Sequence, residues 1–223
     1  MKQIIQSIEA EIKSLFENEG TGHDWYHIDR VRNMALHIQE KEGGDREIVE
    51  LAALLHDISD HKFNGGDFSK GGIIAKEILE KFHVSSTKIL EIVEIVNNVS
   101  YKGSGVEDSM HSLEGRIVQD ADRMDAVGAI GIARAFAYGG YAQRPIFDPE
   151  VLPQNHQSTQ EYVENRSHSI NHFYEKLLLL KDRMHTNTGR KLAEERSMFL
   201  ESYLRQFYYE WFGENDTGFW KIK

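Results

Sequence analysis

The apolar run Leu51-Ala52-Ala53-Leu54-Leu55 ends in His56-Asp57, a metal-ligand type followed at once by a carboxylate. Taking a carboxylate out of water without a partner is costly, so a His-Asp pair at the edge of a buried segment calls for hydrogen bonds, a counter-charge or a cation. Two other stretches could complete a cation site. His27 closes Gly22-His23-Asp24-Trp25-Tyr26-His27, and Asp122 lies in Gln119-Asp120-Ala121-Asp122-Arg123-Met124-Asp125. Two imidazoles and two carboxylates make a mixed nitrogen and oxygen shell that leaves positions on a six-coordinate ion open for water and a substrate oxygen. An ion held this way acidifies water and withdraws charge from the centre under attack, which is the chemistry of hydrolysis. The chain has no cysteine, so disulfides and thiolate ligands are excluded, and any metal must be held by His, carboxylates, carbonyls or water.

The elements that must position these residues read as helices. Ile4, Ile5, Ile8, Ile12, Leu15 and Phe16 recur at helical spacing and stop before Gly20-Thr21-Gly22. Ile28, Val31, Ala35 and Ile38 repeat in a second helix with His27 near its start, closed by Gly43-Gly44. Asp45 is a suitable N-cap for a helix through Ile48, Val49, Leu51, Ala52, Leu54 and Leu55, apolar on most sides and therefore central, with His56 and Asp57 in its last turn. Neighbours on a regular helix point about 100° apart, so the pair shares one ion only if the metal lies beside the helix and both side chains converge on it.

Ser69 caps a helix through Ile73, Ile74, Ile78, Leu79 and Phe82. Ser85 or Ser86 caps another through Ile89, Leu90, Ile92, Val93, Ile95 and Val96. The β-branched residues of the latter would suit a strand, but its length and the polar Glu91 and Glu94 three apart favour a helix. Ser112 opens the segment bearing Asp120 and Asp122. Ala126 to Tyr138 continues with small residues suited to close packing, and Gly139-Gly140 ends it. All three prolines, Pro145, Pro149 and Pro153, fall between Gly140 and Gln154, marking a loop of the length that often carries function. A segment from Tyr162 to Leu180 follows. A closing helix, with Leu192, Arg196, Phe199, Leu200, Tyr203, Leu204, Phe207 and Trp211 on one face, completes an all-α chain.

With 223 residues, 40% hydrophobic and 28% charged, the composition is that of an ordinary soluble domain, and no segment approaches the ~20 apolar residues of a membrane span. The opening Met1-Lys2-Gln3 leads into an amphipathic segment and not a signal-peptide core, so a cytoplasmic location is expected. A net charge of −10 argues against a broad grip on nucleic acid but leaves a local cation pocket able to take a small anion.

His27, His56-Asp57 and Asp122 in its Ala-Asp-Arg context resemble the H…HD…D signature of the HD-domain superfamily of metal-dependent phosphohydrolases. His27-Ile28-Asp29-Arg30-Val31 is similar to the family's H-x-x-R-V opening, and Leu54-Leu55-His56-Asp57-Ile58 to its L-L-H-D-I centre. Gly139-Gly140, Arg144-Pro145-Ile146-Phe147-Asp148-Pro149 and His172-Phe173-Tyr174-Glu175-Lys176-Leu177-Leu178 resemble a bacterial subfamily of small stand-alone HD hydrolases associated with cleaving nucleotide phosphoanhydrides. The resemblance implies a single helical domain over 1–223, in which 1–130 is the HD core carrying the metal motif and 131–223 supplies the subfamily's loop and closing helices. It also selects Asp122 over Asp120 and Asp125 as the last ligand, leaving those two as outer acceptors or as cap and ion-pair residues.

Asp60, three residues after Asp57, stands where several similar hydrolases place a carboxylate that orients water or shuttles a proton; its bland alternative is a polar helix end. Lys62, Lys102 and Arg144 are candidate phosphate contacts, though each alone is more often a solvated cation. His23, four before His27, is a further substrate-side candidate or a cap. His168 and His172 share a spacing that suits a metal pair on a helix, but no Glu stands between them. By resemblance His172 lines the pocket, with a satisfied core histidine the alternative. The aromatic group Phe207, Tyr208, Tyr209, Trp211 and Phe212 reads as core or as a contact in a homo-oligomer.

A mixed shell favours manganese, iron, cobalt or nickel over magnesium, which prefers oxygen. Manganese is the expected ion, partly because similar hydrolases are often manganese-activated. The leading reading is hydrolysis of (deoxy)nucleoside triphosphates to monophosphate and pyrophosphate. Other readings are an HD nucleotidase, an HD phosphodiesterase, and a non-enzymatic nucleotide sensor in which the metal only anchors phosphate. The expected partner is a small nucleotide, without a membrane or long nucleic acid.

Overall fold

A computed structural model describes residues 2–17, 24–58, 70–103, 105–156, 158, 160–161, 165 and 167–213. His23, Asp60, Lys62 and the proposed cap Ser69 lie outside the described residues. Every regular element among the described residues is helical, as the apolar periodicity predicts: α1 (Lys2–Leu15), α2 (Trp25–Glu42), α3 (Arg46–Leu55), α4 (Lys70–Lys81), α5 (Ser86–Asn98), α6 (Leu113–Asp125), α7 (Gly128–Tyr141), α8 (Ser169–Glu175), a 3-10 turn (Leu177–Arg183) and α9 (Asn187–Phe212). Among them no helix is long and apolar enough to cross a membrane.

The chain forms two compact units. The first comprises Met1–Lys102, Glu107–Asp122 and His185–Gly189, the second Gly103–Val106, Arg123–Met184 and Arg190–Lys223. In the first unit α3 is central: it packs against α1, α2 and α5, and all residues from Ile48 to Leu55 are buried. Burying each of Leu51, Leu54 and Leu55 fully contributes about 1.5–3 kcal/mol before the entropy of ordering the chain is set against it. Asp45 starts α3 by accepting the amides of Glu47 and Ile48 at 2.8 and 3.3 Å. Its carboxyl sits below the usual carboxylate range, because a Lys88 hydrogen bond and the two amides outweigh its partial burial. Gly43, at φ +87°, ends α2 by returning its amide to the Gln39 carbonyl at 2.9 Å, a left-handed turn that other residues adopt only at a cost.

An ion pair staples α2 to α3. Arg32 reaches Glu50 through both Nε and a terminal nitrogen, and its other terminal nitrogen lies 3.0 Å from Glu9 on α1. Glu50 is buried, and a carboxylate taken out of water without a partner is costly, so the Arg32 pair satisfies it. The staple fixes the spacing between the helix that carries His27 and the one that ends at His56.

In the second unit the structure departs from the sequence reading three times: α7 runs through Gly139-Gly140, where the reading ends it, as far as Tyr141. The segment after α6 does not simply continue: the chain turns at Ala126–Val127 and restarts at Gly128, whose φ of +76° requires the left-handed region. On α9 the buried stripe is Ala193, Ser197, Leu200, Leu204 and Tyr208, so Phe199 and Trp211, expected on the inward face, are 51% and 49% exposed. Phe147 from the proline loop packs its ring edge-on to Tyr208 at 5.4 Å and to Trp211 at 5.1 Å. Trp211 therefore contributes one face to packing and leaves the other in water.

Candidate metal centre

Asp24 N-caps α2 and accepts the His27 amide at 2.8 Å, so His27 is fixed in the first turn with its ring fully buried. The sequence signal for this support was available, an Asp three residues before His27, but the motif reading passed over it. Helix α3 ends at Leu55, two residues short of the expected Asp57, and His56 is its C-cap with φ −58° and ψ −33°. There its Nδ1 lies 2.8 Å from the Ala53 carbonyl. A carbonyl can only accept, so the proton sits on Nδ1, and Nε2 presents a lone pair.

That Nε2 is 3.2 Å from His27 Nε2, with the rings edge to face at 67°. Asp57 follows in the turn after α3 and brings Oδ2 to 3.2 Å from His27 Nε2 and 3.7 Å from His56 Nε2. Asp122, from α6, brings Oδ1 to 3.6 and 3.8 Å from the same two nitrogens. The neighbours His56 and Asp57 converge because the helix has ended between Leu55 and them.

One N–H serves one strong acceptor well, yet three ligand-type atoms stand within 3.6 Å of His27 Nε2. A cation serves all of them together. At metal–ligand lengths of about 2.1 Å, adjacent corners of an octahedron lie about 3.0 Å apart and those of a tetrahedron about 3.4 Å. The spacings here, 3.2 to 3.8 Å, match an ion site that tightens slightly on loading. His27, His56 and Asp57 form a group whose ligand atoms all lie within 4.8 Å of one another. Asp57 and Asp122 remain 11% and 26% exposed, which leaves the site a solvent side.

The neighbouring aspartates are engaged elsewhere. Asp125 pairs with Arg134 at 3.1 Å, and Asp120 accepts three hydrogen bonds from His185 and Thr186. Burial pushes the Asp120 carboxyl above the usual range, against the pull of those donors. Lys102 is half-buried just beyond α5. In the second unit Arg144 donates to the Asn165 carbonyl at 2.8 Å with its guanidinium 5.6 Å from the Tyr138 ring centre, and His172 is half-buried on α8. His168, at the spacing of a metal pair with His172, is the N-cap of α8: its Nδ1 accepts the Asn171 amide and its Nε2 donates to the Val151 carbonyl, both at 3.1 Å. Both of its nitrogens are in use within the protein.

Residues 24–127 match the HD domain family model. Bacillus subtilis YpgQ, an uncharacterized protein, is 36% identical over 212 residues, covering 92% of this chain and 94% of its own. A crystal structure of an HD-superfamily hydrolase from Bacillus thuringiensis is 41% identical with a TM-score of 0.73, over 94% of this chain and 97% of that one. The chain belongs to the HD superfamily of hydrolases. It is an HD-type metal-dependent phosphohydrolase, and the His-His-Asp cluster is the feature suited to its divalent ion. A crystal structure of a Lactobacillus plantarum protein superposes with a TM-score of 0.83 at 33% identity, over 95% and 98% of the two chains. YpgQ has also been crystallised in complex with ADP; that structure has a TM-score of 0.73 at 34% identity, over 93% of this chain and 95% of that one.

Proposed function

We propose that His27, His56, Asp57 and Asp122 hold one divalent cation, manganese, and that the protein hydrolyses (deoxy)nucleoside triphosphates to monophosphate and pyrophosphate. The observation that supports this reading is the approach of two carboxylate oxygens, from Asp57 and Asp122, to the same pair of imidazole nitrogens. The donor set fits the ion: two neutral nitrogens and two anionic oxygens suit manganese, iron, cobalt or nickel better than magnesium. When bound, such an ion lowers the pKa of water and draws charge from phosphorus.

The chain's own residues supply the rest. The Ala53 carbonyl locks the His56 tautomer, and the Asp24 cap holds the His27 backbone, so neither imidazole must reorganise during turnover. Asp57 and Asp122, on the solvent side, would supply the negative charge that balances a bound divalent ion. Asp60 is assigned to orient the attacking water, and His23, Lys62, Lys102, Arg144 and His172 to contact substrate. The nucleotide substrate draws support from the ADP-bound relative and from the subfamily motifs.

The test is a panel of nucleotides incubated with manganese-loaded protein, with products identified by mass spectrometry. Pyrophosphate and monophosphate from triphosphates are expected. Orthophosphate from monophosphates, with triphosphates untouched, would redirect the assignment to a nucleotidase. Tight binding without product across several divalent metals would make the protein a sensor.

A further inference from the structure

Asp120 lies two residues before Asp122 on α6, which puts it about 200° around the helix and so on the opposite side. It is fully buried. Its Oδ1 accepts the His185 amide at 2.8 Å, and its Oδ2 accepts the Thr186 amide at 2.8 Å and the Thr186 hydroxyl at 2.7 Å. The Thr186 hydroxyl oxygen in turn accepts the Gly189 amide at 2.9 Å, and a Cβ on Gly189 would lie 2.5 Å from Asp120 Oδ2. The neighbouring Gln119 adds a weaker hold on the same side, donating at 3.1 Å to the Asn98 and Val99 carbonyls and lying 2.7 Å from His185 Nε2. With three bonds on one fully buried carboxyl group, the Asp120 clamp dominates.

The clamp fixes how α6 is turned about its own axis. A carboxylate carried about 6 Å from a helix axis moves about 2 Å for a 20° rotation, a displacement as long as a metal–ligand bond. We infer that Asp120 is a positioning residue for the metal centre, holding α6 in the rotation that aims Asp122 at the two imidazoles. This rests on the proposed role of Asp122 as a ligand.

The test is calorimetric titration of Mn²⁺ into the full-length protein, at a temperature where circular dichroism shows each variant folded, alongside its Tm. Asp120→Asn keeps shape but sets an NH₂ against donors, and the expected result is about tenfold weaker Mn²⁺ binding. Thr186→Val removes the hydroxyl bond to Asp120 and the acceptor of the Gly189 amide and should weaken binding about threefold, with Thr186→Ser restoring it; these variants carry the test if Asp120→Asn does not fold. Glu42→Gln is the control. Glu42 accepts the Thr188 amide and hydroxyl at 2.7 and 2.6 Å, from the end of α2 and not from α6, so its loss should lower Tm and leave the Mn²⁺ Kd unchanged. Binding abolished in Asp122→Asn but unaltered in Asp120→Asn and Thr186→Val would overturn this inference while sparing the metal site. Wild-type protein that takes up no Mn²⁺ would overturn both.

Discussion

Two buried polar clusters in this protein use the same residue types to opposite ends. Around His27, His56, Asp57 and Asp122, two imidazole nitrogens each stand 3.2 to 3.8 Å from the other and from two carboxylate oxygens. Around His168 and Glu175 each interaction pairs a donor with an acceptor: His168 caps α8 and holds Val151, Asn171 Nδ2 donates to the Val151 carbonyl and Ser167 Oγ, and Glu175 accepts Gln154 N and Asn165 Nδ2 at 3.1 and 2.7 Å. The first cluster is the one suited to the family's divalent ion. The second pairs its groups within the protein, and its product is a proline loop pinned to α8. Imidazoles and carboxylates therefore suit a metal where several ligand atoms converge, and serve as caps and struts where each is held by its own protein partner.

The sharpest way to break the comparison is to remove a ligand. His56→Ala or Asp57→Ala should reduce bound metal to background and lower turnover by at least about a thousandfold, while His168→Ala and His172→Ala leave metal content at the wild-type level. Elemental analysis of the purified variants checks both halves. Metal withdrawal is the next largest effect. If the ion binds only the folded state, loading to a hundred times Kd adds about 2.7 kcal/mol, so chelation should lower Tm and added Mn²⁺ should restore it.

In the balanced cluster the effects should be structural. Glu175→Ala strands the Gln154 amide and the Asn165 NH₂, and is expected to cost about 2 kcal/mol in chemical denaturation without changing metal affinity. The smallest effect is in pH. Burial holds the His168 imidazole below its ordinary value, against the nearby Asp148 and Glu175 carboxylates and the bonds to Val151 and Asp148. The unfolded chain therefore binds the proton first as pH falls, so the stability that neutral His168 contributes is full above about pH 6.5 and is lost as pH drops toward its folded value. His168→Asn keeps an acceptor for the Asn171 amide and removes the titration. Its stability should vary less between pH 6.5 and pH 5 than that of the wild type, read from urea midpoints.

What was legible in the sequence were the features with local signatures. Helices α1 to α5 follow from apolar spacing, and Ser112 marks the start of α6 by accepting the Gly115 amide. Asp45 was readable as a cap because its bonds reach only to Glu47 and Ile48, and the apolar run of α3 announced His56-Asp57 by stopping at them. Helix α5 shows that two glutamates on one side can outweigh a β-branched run. Features that depend on distant partners were not legible. On α9, Tyr208 is buried against Phe147 from the proline loop, while Phe199 is exposed. The clamp at Asp120 is made by residues 65 and 66 positions away. The break before α7 needed only Gly128 in the left-handed region, but a lone glycine among small residues does not declare its φ.

The most direct measurement is anomalous diffraction at the manganese edge from crystals grown with Mn²⁺. The account predicts one strong peak about 2.2 Å from His27 Nε2, His56 Nε2, Asp57 Oδ2 and Asp122 Oδ1. A peak beside His168 and Glu175, or no peak within reach of both imidazoles at millimolar Mn²⁺, would contradict it.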